Sequence, residues 1–389
     1  MRSVRIMIMY TRSKTMIPAA ISISVPIPAC GRLRNNRNMK GRRRVKRNDM
    51  YTAAGWIDAA RLLDCPEPFV LALGGRGIGK SYGVLKLLYE RGIPFIYMRR
   101  TQAQIDAVAV PQLNPFNQIA ADLGRVIVSD KLSKHTAGFY NAELNEEGQP
   151  VKTGEPFGIG IALSTFAAIR SLSAERYEVL FFDEIIPERH ERPIKEEGLA
   201  FANVLESLNR NRELKNEKPI KVILVSNSNT INSQILKTIG VVDIVDEMTR
   251  KNITFKSVNG LIAIFRYLDS PISEKKKRSA LYQVIKNEDF QNMSINNEFA
   301  AGDYENVGTM PLTEFTPVCS YGNTTVCKHK SRNIYYCING IKSADRFNTL
   351  PLSTRAFQRK YYYVYGAMLD KRVYYQSVSV KMEIEGAFK

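Results

Sequence analysis

The stretch that most limits what this chain can fold into is Gly74-Gly75-Arg76-Gly77-Ile78-Gly79-Lys80-Ser81, a complete GxxxxGK[ST]. Its glycines let backbone amides curl around phosphates, Lys80 reaches the β and γ phosphates, and Ser81 ligates Mg²⁺. The motif follows a short apolar run, Phe69 to Leu73, and opens a helix-like stretch, Lys80 to Arg91. That strand, loop and helix order is what phosphate capture at a helix N-terminus demands. A glycine-rich turn is the bland alternative, but the four fixed positions arise by chance in only about one chain per hundred of this length.

The pattern continues as alternating strands and helices. Pro94 to Met98 reads as a second strand, so the opening is a βαβ unit and implies a mostly parallel sheet. A hairpin-like insertion spans Phe139 to Ala162 with its turn at Glu147-Gly148-Gln149-Pro150. Val179 to Phe182 ends in Asp183-Glu184, and Val222 to Val225 ends in Ser226-Asn227-Ser228. Polar clusters at the carboxyl ends of strands are where open α/β sheets bind ligands. Asp183 is therefore the Mg²⁺ acid, and Glu184 the base that polarises the attacking water. Kinases and GTPases with this loop lack that glutamate, whereas DNA motors and helicases have it. Asn227 is placed to sense the γ-phosphate or the water. The charge of the transition state needs an arginine, for which Arg76, Arg210 and Arg212 are candidates.

Composition adds boundaries. Of the formal net charge of +18, residues 1–50 hold +12, from thirteen Lys or Arg against Asp49. The run Arg42-Arg43-Arg44-Val45-Lys46-Arg47 could bind phosphates, yet the segment reads better as a disordered basic leader, with Met39 and Met50 as later candidate starts. Met16 to Cys30 is the longest apolar candidate and is interrupted by Pro18, Pro26 and Pro28, so no membrane span is expected. Five scattered cysteines and three distant histidines fit a reduced, cytoplasmic protein without a zinc site. The expected organisation is a leader at 1–50, a P-loop ATPase domain at 51–254 and a partly helical linker at 255–300. A strand-rich, nucleic-acid-binding domain at 301–389 completes it, read from alternation such as Val373-Tyr374-Tyr375-Gln376-Ser377-Val378.

Taken together, Gly74 to Ser81 with Tyr82, Phe95-Ile96-Tyr97-Met98-Arg99-Arg100, Phe182-Asp183-Glu184, Arg210-Asn211-Arg212-Glu213, Ser226-Asn227, and Met293-Ser294 with Asn297 and Phe299 resemble the DNA-encapsidation ATPases of phi29-type short-tailed phages. The likeness runs from Tyr51 to Gly302, and the rest matches in character only. It implies an α/β P-loop NTPase of the additional-strand, catalytic-glutamate class, followed by a smaller α+β domain resembling a vestigial RNase H-like nuclease. It implies an ATP- and Mg²⁺-dependent, terminase-like motor that drives double-stranded DNA into a procapsid in the host bacterium's cytoplasm. The partners implied are the portal and further copies in a homopentameric ring, with a structural RNA left open. By residue, it gives nucleotide and metal to Lys80 and Ser81, Mg²⁺ to Asp183 and the base to Glu184. Arg210 becomes a finger acting on the neighbouring subunit, and Arg170 a basic residue near the interface and channel. The alternatives are a headful terminase large subunit with an active nuclease, for which Asp303, Asp345, Asp370, Glu383 and Glu385 supply acids, or another P-loop DNA translocase or helicase.

Overall fold

The computed structural model describes residues 50–388 apart from 171, 189–190, 211, 229, 269, 286, 297–298, 300 and 341–351. The basic leader, Asn211, Asn297 and Asp345 lie outside the described residues.

Thirteen strands occur among the described residues: β1 (Phe69–Gly74), β2 (Phe95–Arg99), β3 (Val126–Ser133), β4 (Thr136–Leu144), β5 (Pro150–Ala162), β6 (Val179–Asp183), β7 (Lys221–Ser226), β8 (Phe255–Val258), β9 (Ile262–Tyr267), β10 (Phe315–Tyr321), β11 (Thr324–His329), β12 (Tyr335–Asn339) and β13 (Val373–Tyr375). Nine form one sheet in the order β3-β4-β5-β2-β6-β7-β1-β9-β8. Pairing is parallel from β5 through β9 and antiparallel at both margins. The central strands are apolar almost throughout because both faces are covered. Leu71, Leu73, Leu180 and Phe182 enter one core, and Val70, Ala72, Val179 and Phe181 enter the other. Each fully buried Leu, Val or Phe side chain contributes about 1.5–3 kcal/mol relative to exposure.

Sheet pairing shifts one expected boundary. β9 lies beside β1 with Phe69 opposite Ile262 and Gly74 opposite Tyr267. Residues 255–267 thus complete the ATPase sheet instead of starting a linker, and the hairpin at 139–162 is part of the same sheet through β5 and β2. Short helices at Pro271–Lys277, Ala280–Val284 and Glu288–Gln291 follow.

The C-terminal sheet is an antiparallel meander, β10-β11-β12, with β13 added in parallel beside β12. This region is less strand-rich than expected. The alternation from Val373 stops at Tyr375, since the Ser377 side chain accepts from the Val380 amide and caps a helix, Val378–Gly386. That helix returns to the ATPase sheet: Val378 and Met382 join the core that contains Leu180, and Ser379 Oγ donates to Asp243 Oδ2 at 2.8 Å. No helix among the described residues is long and apolar enough to cross a membrane.

Candidate active site

The parallel register brings the carboxyl ends of β1, β2, β6 and β7 to one edge. Met98 pairs with Phe182, Asp183 with Val225, and Leu73 with Ser226. β7 lies between β1 and β6, so the phosphate loop and the paired acids are separated by one strand. A cavity of 220 Å³ opens there, lined by residues including Arg76, Lys80, Ser81, Asp183, Glu184 and Asn227.

The helix Lys80–Glu90 starts from Gly79, at φ +92°, with no side-chain cap. A serine or aspartate cap would occupy the first amides, whereas glycine leaves them open for an anion. Its backbone conformation is also one that residues with a Cβ rarely adopt. Lys80 is buried, and its Nζ donates to the Gly74 and Gly75 carbonyls at 2.8 and 2.7 Å and to Asn227 Oδ1 at 3.0 Å. Burial brings its pKa down to about 7, with Asp183 pulling in the opposite direction.

Across β7, Asp183 is buried and its Oδ2 accepts from the Tyr97 hydroxyl at 3.2 Å and from Arg99 at 3.4 Å. The other guanidinium nitrogen of Arg99 donates to Glu184 Oε2 at 2.5 Å. Glu184 itself is in the left-handed backbone region at φ +57°. For a side chain of this size such a conformation costs on the order of 1–3 kcal/mol and clusters at functional sites. Burial pushes the Glu184 carboxyl up, while Arg99 draws it down.

Arg76 remains exposed and pairs with Glu188. Beside the loop a second cavity, 670 Å³, is lined by Trp56, Asp58, Tyr82, Asp122 and both Gly77 and Gly79, and so adjoins the phosphate cavity. Its size and aromatic wall suit a nucleoside.

The other arginines lie elsewhere. Arg212 donates to the carbonyls of Ala174 at 2.6 Å and Tyr177 at 2.8 Å, and so clamps the segment before β6. Arg210 is exposed at the end of the helix Glu197–Asn209, at φ +43° and ψ −129°, and donates to the Leu172 carbonyl at 3.0 Å. Arg170 is exposed on the segment that includes Leu172. Neither lines the phosphate cavity.

Arg99, Tyr97, Trp56 and the buried Arg100 were given no role by the sequence reading. Arg100 joins Glu197 at 2.7 Å and Glu191 at 2.5 Å, fixing the loop after Glu184 to β2. The signal for Arg99 and Arg100 was present, since they end an apolar strand as Asp183-Glu184 do.

Residues 56–339 match the model of the podovirus DNA encapsidation protein (Gp16) family. No curated protein sequence matches the chain. Among solved structures, the DNA packaging motor gp11 of phage Phi-28 is 17% identical, covers 86% of this chain and 96% of its own, and superposes with a TM-score of 0.59. The viral genome packaging motor assembly of bacteriophage Phi-29 is 16% identical, covers 86% and 98%, and has a TM-score of 0.55. At these identities the likeness speaks for the fold.

Proposed function

The chain belongs to the podovirus DNA encapsidation protein (Gp16) family and is a genome-packaging ATPase; we propose that it works as a homopentameric ring at the portal of a procapsid, driving double-stranded DNA inward. The observation that carries the catalytic part is the convergence of Lys80, Asp183, Glu184 and Asn227 on one cavity from three strands. A P-loop ATPase of the additional-strand class is supported by β7 between β1 and β6 and by the glutamate after the buried aspartate.

Ser81 and Asp183 offer an oxygen-only pair on the same cavity, which suits Mg²⁺, a hard cation that takes the rest of its shell from water and phosphates. When bound, the ion neutralises charge on the β and γ phosphates. The remaining work is done by this chain's residues. Lys80 exchanges carbonyl partners for phosphate oxygens, which frees the Asn227 amide and passes occupancy to the loop after β7. Glu184 takes the proton of the attacking water. While Arg99 holds its carboxylate, Glu184 is a weaker base, because a neighbouring cation favours the charged form. Release from Arg99 therefore precedes hydrolysis. Arg210 is exposed, strained and outside its own cavity, which supports action on a neighbouring subunit.

An active nuclease needs acids converging on metal ions. Thr230 Oγ1 and the Ile231 amide both donate to Asp303 at 2.8 Å, and Asp370 pairs with Arg372 at 2.7 Å. Glu383 accepts from Thr324 at 2.6 Å, and Glu385 faces Lys381 at 3.8 Å. These separate engagements favour the packaging reading, with the C-terminal domain as a vestigial RNase H-like module that contacts nucleic acid.

ATP turnover measured alone, with double-stranded DNA, and with DNA plus empty procapsids tests the reading. Stimulation is expected in both additions. Turnover indifferent to DNA and procapsids would sink the motor role while leaving the hydrolytic site standing.

A further inference from the structure

The helix Pro271–Lys277 is fixed at its start and free to act at its end. Ser270 caps it, its hydroxyl accepting from the Ile272 amide at 3.2 Å and donating to the Gly55 carbonyl at 3.4 Å. A Cβ at Gly55 would stand 2.8 Å from Pro271, so the helix begins hard against the segment that carries Trp56. Three lysines fill its last turn. Lys275 and Lys277 are exposed, and Lys277 pairs with Glu274 at 2.8 Å.

Lys276 does something else. It is half-buried, and its ammonium donates to the Arg76 carbonyl, in the middle of the phosphate loop. A Cβ on Gly77 would stand 2.7 Å from that ammonium, which marks how closely Lys276 approaches the loop, and the φ of +64° favours glycine there. No carboxylate pairs with Lys276 among the described residues. Burial pushes its pKa down, and the Arg76 cation beside it adds to the effect. An ammonium has three donors, and one carbonyl uses one of them. Such a group is short of negative charge, and a nucleotide's phosphates are what supplies it at this loop. A compact ammonium point charge suits phosphate oxygens.

We infer that Lys276 is a phosphate ligand acting within its own subunit, moving from the Arg76 carbonyl to the terminal phosphate of a nucleoside triphosphate and carrying the helix Pro271–Lys277 with it. The inference rests on the reading that Gly74 to Ser81 binds ATP. The terminal phosphate is singled out because Arg76 shares its cavity with Glu184, the base that must face that phosphate. The same helix starts the connection between the ATPase sheet and the C-terminal domain, so loading of the triphosphate is reported to that domain.

Equilibrium binding of ATP and of ADP, each with Mg²⁺, to the full chain tests this. Lys276→Ala is expected to weaken ATP on the order of ten-fold or more, as for a lost charged hydrogen bond, and ADP much less. Lys276→Gln keeps a donor for the Arg76 carbonyl and removes the charge. It is expected to leave the melting temperature of the nucleotide-free protein in place and to lose the same ATP preference. Lys277→Ala removes an equal charge from the same helix and is expected to change neither affinity. Equal losses for ATP and ADP, or a full ATP preference in Lys276→Gln, would overturn the assignment. Lys80→Ala separates the two levels. If it abolishes binding of both nucleotides while the Lys276 variants keep the wild-type ratio, this inference alone fails; if it binds ATP normally, the reading of the loop fails with it.

Discussion

Asp183 and Glu383 are both carboxylates that accept hydrogen bonds, and their settings are opposite. Glu383 accepts from the Asn323 amide at 3.2 Å and from Thr324, closing the turn between β10 and β11 with neutral donors. Asp183 ends β6 on an open cavity, facing Arg99 and Lys80 across strands that come from distant parts of the chain. The arginines divide in the same manner. Arg212 uses its guanidinium on the carbonyls of buried residues before β6, while Arg210, two residues earlier, is exposed and donates to the Ser207 and Leu172 carbonyls at the surface. A charged group whose bonds are satisfied locally serves the fold. One whose partners meet at a cavity or a free surface remains available for chemistry.

The largest effect that could break this division is expected at Arg210. Arg210→Ala should lower ATP turnover by about 10³–10⁵, the range for a finger arginine, and Glu184→Gln by about 10²–10⁴ with ATP binding retained. Mixed rings of the two variants should regain turnover, because an intact Glu184 can sit beside an intact Arg210 donor. Mixtures that assemble and stay inactive would return the role to Arg76.

A smaller effect sharpens the picture of Lys80. Its pKa near 7 in the nucleotide-free protein means that burial disfavours the ammonium, whereas bound phosphates favour it. ATP affinity should then be nearly flat below pH 7 and fall by up to about ten-fold per unit as pH rises above 7, with proton uptake on binding. Calorimetry in buffers of different ionisation enthalpy reads that uptake directly. In the absence of nucleotide the sign reverses: this lysine's penalty to folding shrinks as pH rises from about 7 towards its unfolded pKa of about 10.4.

Arg212→Ala should behave unlike Arg210→Ala. It leaves the Ala174 and Tyr177 carbonyls without their donor, a loss of about 1–3 kcal/mol before allowance for solvent at this half-exposed site. A lower melting temperature with much of the turnover intact is expected, and the reverse pattern would exchange the roles of the two arginines. The smallest effect belongs to Glu383→Gln, whose neutral partners can bond to an amide as well. Stability within about 1 kcal/mol of the parent and unchanged turnover are expected, and a measurable change in DNA cleavage would contradict the structural role given to this acid.

Several elements were legible before any tertiary information. β1, the helix from Lys80, β2, β6 and β7 all fall where apolar runs and glycines placed them, because strand burial on two faces and phosphate-loop stereochemistry leave local marks. Other features left weaker marks. Residues 255–267 read locally as the start of a partly helical linker, and only the pairing of β9 with β1 assigns them to the ATPase sheet. Val373 to Val378 alternates as a strand would, yet Ser377 finds an amide to cap and the chain turns helical.

By itself the sequence determined the phosphate loop, the paired acids and the strand-end asparagine, since each is set by residues within about ten positions of one another. The tertiary structure decided what acts on them. Arg99 reaches both Asp183 and Glu184 because β2 pairs with β6 in a register that aligns their ends. Lys276 meets Arg76 across 200 positions of chain, and Trp56 reaches Gly79 from the other direction. Such contacts depend on strand order and on which segments the sheet leaves at its carboxyl edge, and no local pattern of residues encodes that placement.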